Sequence, residues 1–293
     1  MALTIEPINP YFGARVGGIS IRDGVDEETF AAIAATFEEH SVLVFAGQPV
    51  TDDEQVAFTE RFGPLEPTIA GVVGTGSKVV RVSNMLPDGT LKEPGGRLSL
   101  FGRANGFWHT DSSFRSCPAK ASMLSARLIP EQGGDTEFAS TRAAFEALDP
   151  ARQADLVEMV AVHSLAFSRR KLSPDAISPE QEAALPPVEQ ALVRTNPVTG
   201  RKSLLIGAHV EDILGMVHEE AQALLAELLE LATQPRFCYR HRWTVGDIVM
   251  WDNRAVLHRG HDYDEVNSKR LLIRTTLAGD GPTAADGQLL EAA

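Results

Sequence analysis

A chain of 293 residues, 43% of them hydrophobic, can bury a sizeable core within one catalytic domain. A formal charge of −13 and a pI near 5.1 exclude nucleic acid and anionic membrane as main partners, since both demand a basic footprint. Cys117 and Cys238 fit free thiols in a reducing cytoplasm better than a disulfide scaffold, Met1–Pro10 lacks the pattern of a signal peptide, and no apolar run reaches membrane-spanning length.

In chain order, Asp26 to His40 reads as a helix, with Phe30, Ile33 and Phe37 on one side. Val42 to Phe45 follows as a buried strand. Thr51-Asp52-Asp53-Glu54 has the capping-box pattern and opens a second helix that Gly63 can close. Strand signals then appear at Val79–Ser83 and Ser122–Leu128. Asp149-Pro150 puts a side-chain acceptor before a helix-start proline, and His218 to Thr233, rich in Leu, Ala and Glu, is the clearest helix. Further strands are expected near Leu204, Phe237, Ile248 and Leu272. Short strands with helices mostly outside them predict an α+β domain built on a sandwich or barrel. Val72–Gly106 and Leu172–Gln190 have the composition of lids, the second equally that of an ordinary surface excursion. A single domain over 1–277 is expected, followed by a frayed tail at 278–293.

The chemistry concentrates in a few residues. In a strand, alternate side chains share a face, so His109 and Asp111 of His109-Thr110-Asp111 can address one metal ion while Thr110 points away. A third ligand must come from a strand distant in sequence, and His258 qualifies, because the apolar, β-prone run Ile248 to Trp251 precedes it. Two imidazoles and one carboxylate leave open positions on an octahedral metal, the arrangement used by non-haem Fe(II) oxygenases. A His-x-Asp pair alone is most often a surface pair. Here it has company: Arg270 and Arg274 lie four apart on one strand-like segment, suited to planar carboxylates, and Gly133-Gly134-Asp135-Thr136 offers a hydroxyl to the same kind of group.

This ordered set, with Trp251-Asp252-Asn253-Arg254 between its members, resembles the taurine dioxygenase family of Fe(II)/2-oxoglutarate-dependent oxygenases. Within that family, Ser122 to Ala126, Gly133 to Phe138, Leu205 to His209 and Tyr239 to Trp243 are similar to the bacterial phenoxyacetate dioxygenases that degrade 2,4-dichlorophenoxyacetate. The likeness runs from about Ile5 to Leu277.

The resemblance implies a double-stranded β-helix, or jelly roll, with flanking helices. It implies Fe(II) on His109, Asp111 and His258, 2-oxoglutarate and O₂ as co-substrates, and Arg270 with Thr136 on the far carboxylate of 2-oxoglutarate. Arg274 would hold the anionic end of the substrate and Asn105 would lie near it. The reaction implied is hydroxylation of the carbon beside the ether oxygen of an aryloxyalkanoate, after which the product falls apart to a phenol and a 2-oxo acid. A small anionic substrate, a cytoplasmic location and a homo-oligomer complete the expectation. Phe107 and Trp108 stand either as walls for an aromatic ring or as core residues. The remaining histidines, His40, His163, His209, His218, His241 and His261, read as structural or surface groups, with His163 and His209 kept as candidates for support behind the metal ligands.

The sequence also departs from the phenoxyacetate enzymes. They carry lysines after the segment matching Arg61-Phe62-Gly63 and after an Asp-Gly turn, where this chain has Thr68-Ile69-Ala70-Gly71 and Asp88-Gly89-Thr90, with Lys78 and Lys92 nearby. Two other readings share part of the pattern: a dioxygenase of taurine, another alkylsulfonate or another small acid, and a non-catalytic metal-binding jelly roll, which has no use for Arg270 and Thr136.

Overall fold

The computed structural model describes residues 2–68, 76–93 and 103–290. Parts of two expectations, 72–75 and 94–102 of the first lid and 69–71 of the lysine comparison, lie outside the described residues, as do 291–293 of the tail.

Ile248, Val249, Met250 and Trp251 are all buried, but neighbours in sequence face different cores. Ile248 and Met250 pack with Leu43, Phe45, Ala121 and Met123, whereas Val249 and Trp251 pack with Val42, Val44, Leu124 and Phe138. Side chains alternate across a strand, so a run that is apolar at every position marks a strand covered on both faces.

The main strands are, in order, Thr4–Pro7 (β1), Ala14–Gly17 (β2), Val42–Phe45 (β3), Val80–Ser83 (β4), Ala121–Leu128 (β5), Thr136–Ser140 (β6), Val160–His163 (β7), Val188–Ala191 (β8), Val193–Thr195 (β9), Lys202–Leu204 (β10), Val210–Ile213 (β11), Cys238–His241 (β12), Ile248–Asp252 (β13), Val256–Gly260 (β14) and Leu271–Leu277 (β15). Seven form one sheet in the order β1-β2-β3-β13-β5-β15-β4, antiparallel except between β2 and β3. The helices Glu27–His40 and Asp52–Glu60 cover its outer face through Ile33, Phe37 and Phe58. The three-stranded sheet β12-β6-β14 covers its inner face through Phe138 and Val256. Behind that small sheet, Ala139 and Leu257 turn to a further core shared with the helix His218–Ala232 and its Leu224, Leu225 and Leu228. Fully burying one such leucine or phenylalanine contributes about 1.5–3 kcal/mol relative to leaving it in water.

Helix starts follow the side chains expected to make them. Asp26 accepts from Thr29 N at 2.8 Å, Thr51 and Glu54 form a reciprocal capping box, and Asp149 accepts from Arg152 N at 3.0 Å. Elsewhere the chain is more ordered than its composition predicts. The stretch Leu172–Gln190 contains the helix Pro179–Ala184, capped by Ser178, and ends in β8, which pairs with β7. The expected frayed tail is tied to the domain instead: Thr283 Oγ1 accepts from Ala191 N at 2.9 Å and donates to Gln190 Oε1, and Asp280 takes Arg254 Nη1 at 3.2 Å. That last contact has a cause. Arg254 is fully buried; burial alone would depress its pKa, but Asp252, Glu38 and Asp280 together hold it above the ordinary arginine range. A buried charge is costly without partners, so the tail residue is drawn in to supply one.

Candidate metal centre

The space between the two sheets opens at one end onto polar side chains. Along β5, Ser122 shares the face of Leu124, and along β15, Arg274 shares that of Leu272, so both point between the sheets. On β14, His258 shares the face of Val256 and packs against Trp251, with ring centroids 4.6 Å apart.

His109 meets His258 here. His109 N donates to His258 O at 3.0 Å, and His258 N donates to His109 O at 2.8 Å, an antiparallel pair that places the imidazoles 4.2 Å apart. The tripeptide does not lie in a regular strand, as its spacing predicted. His109 makes a single bridge, and the chain then turns after Asp111 through Ser112, whose φ is 57°. The turn is stabilised by Asn253, whose Oδ1 accepts from Asp111 N at 3.2 Å and whose backbone O accepts from Thr110 Oγ1 at 2.7 Å. One ligand atom each from His109, Asp111 and His258 lies within 4.8 Å of the others, and all three residues are buried.

The electrostatics suit a divalent metal. His109 Nδ1 donates to Phe107 O at 2.7 Å, which leaves Nε2 as the free lone pair, and His258 Nδ1 is sealed away without a partner. Burial, chiefly, holds both imidazoles below the usual histidine range, so both are neutral, the form that ligates. Burial would raise Asp111, but the Arg274 guanidinium, the two imidazoles and the Ser122 hydroxyl keep it well below the carboxylate range. Arg274 Nη1 donates to Asp111 Oδ1 and Ser122 Oγ to Oδ2, both at 2.7 Å, while Asn253 Nδ2 donates to Ser122 Oγ at 3.1 Å and Trp251 Nε1 to Asn253 Oδ1 at 2.9 Å. Two neutral imidazoles and one ionised, oriented carboxylate fit Fe(II). The sequence motifs include both Asn253 and Ser122 but give neither a task; both act through contacts across the sheets that no local pattern announces.

A second charge waits nearby. Arg270 is 8% exposed, its Nη2 donates to Gly134 O at 2.9 Å, and its Nε has no partner. No carboxylate among the described residues pairs with it, and burial pushes its pKa down to about 10. Its guanidinium lies against the turn before β6, where a Cβ on Gly134 would meet its Nε at 3.0 Å, and Thr136 begins β6 two residues later. A cleft of about 600 Å³ reaches Arg270, Asn105 and Lys92 but not the metal ligands. Asn105, in a short 3₁₀ turn, makes no side-chain hydrogen bond among the described residues, so its amide is free for a ligand. Of the two lysines near the departure, Lys92 lines this cleft, whereas Lys78 is spent in a surface pair with Glu60.

The remaining candidates separate. His209 lies beside the centre, 6.1 Å from the His109 ring, and its Nδ1 bonds Ser168 Oγ at 2.9 Å. His163 is buried one strand further back and is pushed down to about 3 by burial. Trp108 packs on the core around helix His218–Ala232 with Arg259 over its ring, which is the structural alternative given for it.

Residues 4–276 match the family described as taurine catabolism dioxygenase TauD, TfdA family. The chain belongs to this family. It is 44% identical over 285 residues, 96% of this chain and 99% of the relative, to the alpha-ketoglutarate-dependent 2,4-dichlorophenoxyacetate dioxygenase of Cupriavidus pinatubonensis. Over 287 residues, 95% of this chain and 96% of the relative, it is 36% identical to the (S)-phenoxypropionate/alpha-ketoglutarate-dioxygenase of Sphingobium herbicidovorans. Its structure is similar to the crystal structure of AAD-2 in complex with Mn(II) and N-oxalylglycine, with a TM-score of 0.90, 39% sequence identity, and coverage of 98% of this chain and 100% of that one. This family member is therefore a 2-oxoglutarate-dependent non-haem iron dioxygenase, using Fe(II), 2-oxoglutarate and O₂.

Proposed function

We propose that this dioxygenase hydroxylates the carbon beside the ether oxygen of aryloxyalkanoates, releasing a phenol and a 2-oxo acid, which is glyoxylate when the substrate is a phenoxyacetate, with succinate and CO₂ from the co-substrate. The observation that carries the reading is likeness over nearly the whole chain to relatives named for phenoxyacetate and phenoxypropionate substrates, joined to a buried ligand triad whose carboxylate is held by Arg274. The two sheets packed face to face support a jelly roll, with the triad between them at one end.

In this reading His109, Asp111 and His258 hold Fe(II), which, with 2-oxoglutarate and O₂, supplies the oxidising power, while the protein supplies placement. Ser122 and Arg274 fix both oxygens of Asp111, so the carboxylate has one orientation to offer. Trp251 and Phe138 pack around His258 and keep water from its inner side. Arg270 and Thr136 take the far carboxylate of 2-oxoglutarate, which satisfies the unpaired buried guanidinium. Arg274 and Asn105 face the substrate, Arg274 through its anionic end. Cytoplasmic location and symmetric self-assembly extend the same reading; no helix among the described residues is long and apolar enough to cross a membrane.

The test is succinate and phenol release across a panel of phenoxyacetates, phenoxypropionates, taurine and longer alkylsulfonates. Phenoxy acids should exceed the sulfonates in kcat/KM by roughly a hundredfold, the discrimination a site built for one polar head and one ring supplies. A sulfonate turned over best would overturn the substrate while leaving the enzyme class standing.

Thr136→Val tests the co-substrate end. Losing a hydrogen bond to a charged group costs about 1.5–3 kcal/mol, so the dissociation constant of 2-oxoglutarate should rise roughly ten- to hundredfold while KM for the phenoxy acid hardly moves. An unchanged 2-oxoglutarate titration removes Thr136 from the site.

A further inference from the structure

Trp243 is 7% exposed, and its Nε1–H donates to Thr136 Oγ1 at 3.0 Å. Sheet geometry sets up the contact. Thr136 is the cross-strand partner of His241, and Trp243 lies two residues beyond His241 on the same face, the diagonal position that a long aromatic side chain can reach. The indole is clamped there edge-on to the His241 ring, with centroids 4.6 Å apart, and it belongs to the core between the sheets with Phe138 and Val249.

An indole nitrogen donates and never accepts. The bond therefore fills a lone pair of the Thr136 hydroxyl and leaves its proton uncommitted; that hydroxyl donates to no residue among those described. The Arg270 side chain packs against Gly134 of the turn that leads into Thr136, with its Nε unpartnered. We propose that Trp243 is a positioning residue for 2-oxoglutarate: it locks Thr136 as an acceptor from the core side, so that the hydroxyl proton is presented to the carboxylate held by Arg270. The proposal rests on the reading of Thr136 and Arg270 as co-substrate groups. Without the indole donor, the hydroxyl is free to rotate toward other acceptors and must be reoriented when the carboxylate arrives.

The experiment is calorimetric titration of 2-oxoglutarate into Mn(II)-loaded protein, which reads binding without turnover. Trp243→Phe, which keeps a ring and removes the donor, should raise the dissociation constant about two- to tenfold, the worth of one neutral hydrogen bond, and leave KM for the phenoxy acid unchanged. Replacing Trp243 by 3-benzothienylalanine, the same shape with sulfur in place of N–H, should give the same loss and guards against repacking. In a Thr136→Val background, either replacement should add nothing further, because the bond it removes is already gone. Additive losses would show that Trp243 acts by packing alone, and an unchanged constant in the benzothienyl protein would also overturn the proposal. If Thr136→Val itself binds 2-oxoglutarate normally, the co-substrate reading fails and takes this proposal with it, an outcome that the Thr136 variant identifies separately.

Discussion

Replacing His258 with alanine is expected to abolish turnover and strip the protein of iron while leaving it folded. The ring contributes one of three ligand atoms that converge within 4.8 Å, and two protein ligands do not hold Fe(II) against solvent and chelators as three do. The fold should survive, because both hydrogen bonds that join His258 to His109 are made by backbone atoms, which alanine retains. The cost is the packing of one ring against Trp251 and Phe138, about 1–3 kcal/mol, within the tolerance of a domain of this size. His109→Ala and Asp111→Ala should lose iron and activity in the same way, and Asp111→Ala should also free Arg274 from the carboxylate it is bonded to. Iron content after dialysis against a weak chelator, read beside a thermal melt, makes the comparison. Purified His258→Ala with wild-type iron content and activity would end the assignment of the triad.

The second large effect separates the two arginines. Arg270→Ala removes a buried guanidinium with no carboxylate partner among the described residues, and truncating one partner of a desolvated charge pair costs about 2–5 kcal/mol. The affinity for 2-oxoglutarate should fall roughly thirtyfold to several thousandfold, and the visible metal-to-ligand charge-transfer band of the anaerobic Fe(II) complex should be lost at ordinary concentrations. Arg274→Ala should keep that band at a near-normal 2-oxoglutarate concentration while raising KM for phenoxy acids steeply, with some 2-oxoglutarate consumed without substrate oxidation. Because Arg274 Nη1 also holds Asp111 Oδ1 at 2.7 Å, its loss should loosen iron as well, and the titration must be run with iron saturating. Equal weakening of 2-oxoglutarate in both variants would mean a shared role, and the reverse order would mean that the two arginines are exchanged.

By itself, the sequence determined which chemistry is available and much of the local structure. Residue type and short spacing are enough to put His109 and Asp111 forward as a ligand pair, to pair Arg270 with Arg274, and to start helices at Asp26, Thr51 and Asp149, because a cap is made within a few residues. The helix His218–Ala232 and the doubly buried strand β13 were legible for the same reason: their periodicity lies within the element. Tertiary structure decided everything that needs two distant segments to meet. Only the packing of the small sheet on the large one brings His109 to His258, sets Ser122 and Asn253 behind Asp111, places Arg274 against the Asp111 carboxylate, and aims Trp243 at Thr136. The segment Leu172–Gln190 and the tail show little of their order in composition because it comes from outside them, from pairing of β8 with β7 and from the demand of buried Arg254 for Asp280. A buried charge or an unpaired strand edge recruits whatever segment can satisfy it, and that demand exists only once the rest of the chain has folded.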